Sequence, residues 1–378
     1  MRILIVGAGI MGLSAAEALL AAGHSVAVYE QGAIPHDLAS SVDQHRLIRY
    51  PYGDKTDYAR LVAPAYAAWD RLWARLGQCH YVETGSLVIG REDAQTSWMQ
   101  LSAEGLAEIG QAVDWLDAAA LAARFPLLRI GPSDRGFHLD SGGLLRAQPI
   151  LESLAARIAA LGGELLAGSR VTALDCAAAR LTLAGGETVT GDLLLVTAGP
   201  WLSDLLPDFA ARVTPSRQAY AYLEPPEAIR GAWARHPMLL DIGVESGFYL
   251  VPPAAGTAMK VGDHGFSLAG HPDRDRDGKP EDIAESLAMA ANCLVDFAQY
   301  RVSHIGTCFY TVEPEERFIA APRGAAWILT GFSGHGFKFG PLIGEQLSAL
   351  LGGRLSAADF QRWISGRLGA MQEPAPPG

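Results

Sequence analysis

The chain opens on the apolar run Ile3-Leu4-Ile5-Val6, which passes at once into Gly7-Ala8-Gly9-Ile10-Met11-Gly12 and then into an Ala/Leu-rich stretch over 13–22. This order predicts a strand, a tight turn and a helix, and Val26-Ala27-Val28-Tyr29 predicts a second strand that ends at Glu30. Over 58–76, Leu61, Ala65, Trp69, Leu72, Trp73 and Leu76 fall on one helical face, which predicts a helix with a buried aromatic stripe, capped by Thr56 or Asp57. The texture changes after Gly77: 85–90 reads as a strand, followed by polar helices up to Pro126. A helix over 149–160 and strands over 164–166 and 170–174 then restore the α/β alternation. It continues into the apolar run from Leu193 to Val196, suited to a strand buried on both faces and stopped by Gly199-Pro200. Between Gln218 and Thr311, short runs at 219–222, 238–240, 248–251 and 258–261 predict an antiparallel sheet. A strand over 326–330, a glycine-rich loop over 331–336 and a helix over 341–350 close the pattern, and 372–378 is expected to be disordered.

These elements describe an α/β plus α+β protein: a Rossmann-like dinucleotide-binding domain and a second domain built on a mainly antiparallel sheet. The first is expected over 1–80, 141–212 and 314–378, and the second over 81–140 and 213–313. A length of 378 residues accommodates both, each with a sizeable core. The formal net charge of −11 weighs against broad binding to nucleic acid or to an anionic membrane surface, so an anionic ligand must meet a local cationic site. Cys79, Cys176, Cys293 and Cys308 form no CxxC pair, which suggests neither a disulfide framework nor a zinc site and fits a reducing cytoplasm. Beyond the opening segment no apolar run approaches the ~18 residues of a membrane span.

Within the first unit, Gly7 permits the tight turn, Gly9 lets the backbone approach a pyrophosphate, and Gly12 allows close packing of helix on strand. The helix N-terminus offers amide donors and the positive end of a dipole to phosphates. Glu30, 23 residues after Gly7, is placed to accept hydrogen bonds from an adenosine ribose. The glycines alone do not separate NAD from FAD. FAD is favoured by the N-terminal position of the fingerprint and by a chain that leaves the nucleotide domain and returns to it twice. The loop over 331–336, feeding a helix, adds positive potential suited to an anionic reduced flavin.

Four stretches together carry a resemblance: Gly7-Ala8-Gly9-Ile10-Met11-Gly12, Arg46-Leu47-Ile48-Arg49, Cys308-Phe309-Tyr310-Thr311 and Gly331-Phe332-Ser333-Gly334-His335-Gly336-Phe337-Lys338-Phe339. In order and through nearly the whole chain, they resemble the monomeric sarcosine oxidase and N-methyltryptophan oxidase family, within the larger group of D-amino-acid and glycine oxidase-like flavoproteins. The resemblance implies FAD bound covalently through the sulfur of Cys308, and a cofactor envelope that includes Ile10, Met11, Val171, Ala198, Gly199, Trp201, Gly334, Gly336 and Lys338. It implies that Lys260 speeds the reaction with oxygen, with Tyr249 and His264 around it as active-site residues. Arg49 and Lys338 match the pair that holds a substrate carboxylate, Arg46 a further arginine beside the flavin, and Tyr310 a substrate-pocket tyrosine. The sequence departs from the pattern at Val42, where a histidine is common, at Glu315, where aspartate is usual, and at Tyr50-Pro51-Tyr52, which reshape the pocket wall.

The activity so implied is oxidation of a secondary or N-methylated α-amino acid to an imine, with O2 reduced to H2O2, by a monomer acting on small molecules. Two alternatives stay open: a dehydrogenase that hands its electrons to another acceptor, and a non-catalytic FAD-binding protein.

Overall fold

A computed structural model describes residues 1–91, 98–242 and 247–367, so the expectation for 372–378 lies outside the described residues. Six strands form one sheet in the order Ile319–Pro322, Ala326–Thr330, Leu193–Val196, Arg2–Val6, Ser25–Tyr29, Glu164–Leu166. All neighbours are parallel except the Ile319–Pro322 edge, with Leu4 opposite both Leu194 and Ala27 at the centre. Alternation along the strands divides the apolar side chains between two cores. Ile3, Ile5, Val26, Val28 and Leu195 face helices Ile10–Ala21, Ala147–Ala160 and Gly340–Leu351, while Leu4, Val6, Ala27, Leu194 and Val196 face the other way.

That second face corrects one expectation. The strand predicted over 170–174 forms as Val171–Asp175, but it pairs antiparallel with Arg180–Leu183, which pairs with Thr188–Thr190. A separate three-stranded meander therefore covers the sheet through Val171 and Leu181, where the pattern had implied a continuing α/β alternation. The short run Val171-Thr172-Ala173-Leu174-Asp175 carries no information about which sheet it joins.

The aromatic helix spans Thr56–Leu76, and Leu61, Ala65, Trp69, Leu72 and Trp73 are buried as their spacing implies. Its cap is a second correction: Lys55 occupies the N-cap without a side-chain bond, and Thr56 and Asp57 already lie within the helix. The Lys55 side chain instead pairs with Glu316 at 2.8 Å. Gly77, with φ of +69°, ends the helix in the left-handed region that glycine enters without strain.

The second sheet has eight strands in the order Arg301–Val312, Thr214–Glu224, Met259–Asp263, Gly247–Val251, Met238–Ile242, Ser86–Gly90, Arg135–Leu139, Asp114–Leu116. It is antiparallel apart from the Met238–Ile242 and Ser86–Gly90 pair, which joins the two excursions of the chain. On one face Leu87, Ile89, Leu239, Phe248, Leu250, Val261 and Leu223 pack with helix Ala284–Cys293 into a core. The other face is divided between the first core, which takes Val88, Phe137, Leu139 and Leu240, and the site described below. A small sheet of Arg46–Ile48, Gly143–Leu145 and Tyr81–Glu83 brings Arg46 and Arg49 beside that face.

Candidate active site

At the C-terminal end of the Arg2–Val6 strand, Gly7 turns with φ of +99°, and a Cβ there would lie 2.6 Å from the Thr197 carbonyl oxygen. A Cβ on Gly12 would lie 2.0 Å from the Gly7 oxygen, so helix Ile10–Ala21 sits on the strand as closely as a backbone permits. Gly9 differs: its Cβ would meet only Ser41 Oγ at 3.1 Å, and its backbone faces an open cleft. The helix has neither a side-chain cap from its N-cap residue nor an acidic residue in its first turn, and Ser41 Oγ accepts from the Ile10 amide at 2.9 Å. The Glu30 carboxylate accepts from the Ala8 amide at 2.8 Å and the Gly32 amide at 3.2 Å, with His36 at 3.2 Å. His36 in turn stacks on Trp201, with centroids 5.8 Å apart.

Gly7, Gly9, Ile10, Met11, Glu30, Val171, Ala198, Gly199, Trp201, Gly334 and Gly336 line this cleft together. Gly12 lies behind it as packing, and Cys308 and Lys338 belong to a second cavity. The second cavity, of about 470 Å³, is within the size range of small-molecule sites. It gathers Lys260, Arg49, Lys338, Tyr249, His264, Tyr310, Arg46 and Cys308 from segments that span almost the whole chain. Arg46, Tyr310, Gly334 and Phe337 line both spaces, so cleft and cavity abut.

Strand periodicity explains the gathering. Cys308 and Tyr310 are two residues apart and share one face of Arg301–Val312, while Phe309 points to the other. Gly247, Tyr249 and Val251 share the same sheet face, and Lys260 lies opposite Val251 on the neighbouring strand. His264 follows the strand end in an exposed stretch, with its ring 5.8 Å from that of Tyr249, so it marks the rim of the cavity.

Two cations in the cavity lack a carboxylate partner among the described residues. Lys338, 4% exposed, donates to Tyr52 Oη at 2.8 Å and to the His335 carbonyl at 2.9 Å, both neutral acceptors. Burial, and then the neighbouring Arg49, push its pKa well below that of an ordinary lysine. Arg49 donates to the Pro51 carbonyl and lies over the rings of Tyr52 and Trp98, with centroids 5.3 and 5.5 Å away. Its pKa is lowered by burial. His335, held neutral by burial and by Lys338, bridges Tyr52 Oη at 3.3 Å and the Glu316 carbonyl at 3.2 Å. A neutral ring that donates from Nε2 and accepts at Nδ1 satisfies both contacts.

Lys260 is 5% exposed and differs from that pair, because its ammonium donates to Asp43 Oδ2. Arg46 donates to the same oxygen, and Tyr222 Oη and the Gln44 amide donate to Oδ1. Burial alone would raise the Asp43 carboxyl, but Lys260 and then Arg46 outweigh it and hold the group ionised well below the usual carboxylate range. Burial raises the Cys308 thiol, with Arg46 and Lys260 opposing. Val42 supplies a carbonyl acceptor to Arg46 at 3.0 Å, and Glu315 is exposed, 3.3 Å from Arg367. Asp43 and His45 were not singled out from the sequence, while Tyr52 entered only as part of the pocket wall and His335 only as a member of the glycine-rich motif. The available signal was an acidic residue three positions before Arg46.

A helix N-terminus with no cap from its own N-cap residue, an open glycine and a carboxylate at the end of the second strand, continuous with a cavity that holds Arg46, Arg49, Lys260 and Lys338, suit a dinucleotide-dependent redox protein. The chain belongs to the FAD dependent oxidoreductase family, whose pattern it matches over residues 2–350. It is a sarcosine oxidase-like FAD-dependent enzyme, as the four sequence motifs implied. It is 27% identical to monomeric sarcosine oxidase of Bacillus sp. (strain B-0618) over 359 residues, covering 92% of this chain and 91% of that one. It is also 27% identical to N-methyl-L-tryptophan oxidase of Salmonella arizonae over 352 residues, covering 91% and 92%. Among solved structures, NikD, an unusual amino acid oxidase, superposes with a TM-score of 0.81 at 22% identity, covering 96% of each chain. L-proline dehydrogenase from P. horikoshii superposes at 0.82 and 17% identity, covering 97% of each. These two likenesses establish the fold.

Proposed function

We propose that the enzyme oxidises the C–N bond of a secondary or N-methylated α-amino acid to an imine, which water hydrolyses, and reduces O2 to H2O2. The observation that carries this reading is the pairing of half-buried Arg49 with buried Lys338, neither ion-paired with a carboxylate among the described residues, in a cavity that abuts the dinucleotide cleft. A buried charge is costly unless paired, and a substrate carboxylate supplies the missing partner, through the arginine fork and the lysine point charge. The same positive field disfavours an ammonium, so the substrate amine binds neutral and ready to give up electron density. When bound, FAD supplies the two-electron acceptor. Lys260 provides a buried cation where superoxide charge develops, Tyr249 and Tyr310 wall the cavity, and Cys308 is the residue for covalent attachment through its sulfur.

The strands of the parallel sheet all fall within 1–80, 141–212 and the part from 314 onward, which supports assigning these segments to the cofactor. Exposed large side chains sit on separate segments, at Leu101, Trp115, Leu268 and Val302, which favours a monomer. Cys79, Cys176, Cys293 and Cys308 form no disulfide with one another, which favours a cytoplasmic setting. Among the described residues no helix is long and apolar enough to cross a membrane. A peroxide-coupled screen of sarcosine, N-methyltryptophan, proline and pipecolate tests the reading. Peroxide formation with at least one of them is expected, and none with any of them would overturn it.

A further inference from the structure

The two cations around Asp43 depend on it unequally. Arg46 has three other acceptors, the carbonyls of Ser40 at 2.7 Å, Val42 at 3.0 Å and His45 at 3.0 Å. Lys260 has, besides Asp43, the face of the Tyr220 ring with its centroid 3.8 Å away. Asp43 is itself fixed on its other oxygen by Tyr222 Oη and by the Gln44 amide at 2.7 Å, so its orientation does not rely on the lysine. Two cations face one carboxylate, and the cluster keeps a net positive charge toward the cavity, which both Lys260 and Arg46 line.

We propose that Asp43 is a positioning residue for Lys260: its carboxylate anchors the ammonium on the cavity wall and provides the counter-charge that lets a buried lysine remain an ammonium. The proposal rests on the oxygen role given to Lys260 above only for its consequence, not for its geometry. The groups that face Lys260 are few. Arg46 comes from the Arg46–Ile48 strand and His45 from the residue before it, the latter held neutral at about 4 by burial and by Lys260 itself, its Nε2 3.2 Å from the Ala258 carbonyl. Tyr220 and Tyr222 come from Thr214–Glu224, Tyr249 from Gly247–Val251, and Cys308 and Tyr310 from Arg301–Val312. Burial raises the pKa of every one of these five, so they are uncharged through neutral pH. Burial and Arg46 both lower Lys260, and Asp43 is the carboxylate that opposes them.

The chain has four lysines, Lys55, Lys260, Lys279 and Lys338, so lysine labelled with ¹³C at Cε gives a spectrum in which Lys260 is assigned by its loss in Lys260→Met. In the FAD-loaded protein the Lys260 signal should keep its ammonium position at pH values where Asp43→Asn has lost it, the midpoint falling by roughly 1–3 pH units. Asp43→Ser, which removes the same charge with less bulk, should move it in the same direction and stands in if the asparagine variant does not fold. An unmoved midpoint in the folded variant overturns the proposal. Stopped-flow reoxidation by O2 separates the two readings: in Asp43→Asn the rate should fall about tenfold per pH unit above the new midpoint, toward that of Lys260→Met. If Lys260→Met reoxidises like wild type, the oxygen role fails, while the Lys260 signal still decides the role of Asp43.

Discussion

Replacing Lys338 with methionine tests the carboxylate clamp, because methionine keeps much of the packing of the stem while removing the ammonium and the hydrogen bonds it donates. The ammonium already donates to Tyr52 Oη and the His335 carbonyl, which leaves one of its three protons for a ligand. A charge-assisted hydrogen bond to a buried anion contributes about 1.5–3 kcal/mol, or roughly 10- to 100-fold in affinity. Calorimetric titration of the FAD-loaded enzyme with propionate should therefore show that loss in Lys338→Met, while propionamide, of the same shape without the charge, should bind both proteins alike. The pH dependence gives a second handle. Burial depresses the lysine in the free protein, so it loses its proton as pH rises, and a bound anion favours the protonated form. Propionate affinity should fall with rising pH in wild type above that depressed pKa, with proton uptake on binding, and this fall should be absent in Lys338→Met. Arg49→Ala should cost a similar factor, and because both cations grip one anion the double variant should depart from additivity. Propionate binding that is unchanged in both single variants, with flavin content intact, would refute the clamp and leave Arg46 as the next candidate.

Acid-denatured wild type should keep its yellow colour on the polypeptide and Cys308→Ser should release it, a test read from the absorbance of pellet and supernatant. Gly12→Ala should prevent stable folding or FAD retention, since its Cβ would lie 2.0 Å from the Gly7 oxygen, whereas Gly9→Ala, with Ser41 Oγ at 3.1 Å, should fold and bind FAD more weakly; thermal melts and flavin content distinguish them. The rate of anaerobic flavin reduction by substrate should rise with pH through the amine pKa of the bound substrate and then level off, and a falling profile would contradict binding of the neutral amine.

The N-terminal unit was legible in the sequence because its information is local. A strand, three glycines, a helix and an acidic strand end lie within 30 residues, and each constrains the next. The second sheet was legible as texture but not as topology: nothing near Ser86–Gly90 signals a parallel partner at Met238–Ile242. The three-residue strand Arg46–Ile48, which carries Arg46 and leads straight into Arg49 at the cavity, is too short to show a period. The site was reached through motifs that resemble a known family, and those motifs name the cations without their partners. Asp43 and Lys260 are 217 positions apart, and their contact is a product of the fold, as is the Lys338–Tyr52–His335 chain that fixes the other lysine. Where pattern alone decided, as for Thr56 or Asp57 as cap, a tertiary ion pair of Lys55 with Glu316 sets the helix entry instead.

Oxidation at the carbon next to the nitrogen of a carboxylate-bearing secondary amine can be read from anaerobic mixing of the purified enzyme with matched pairs. Sarcosine, proline and pipecolate would each be compared with dimethylamine, pyrrolidine and piperidine, the same amines without the carboxyl group. The flavin absorbance should bleach with at least one of the acids and not with its decarboxylated partner, and admitting air should restore the colour with one H2O2 formed per flavin. Bleaching that is equally fast with the decarboxylated amines, or no bleaching with any amine, would contradict the proposed oxidation.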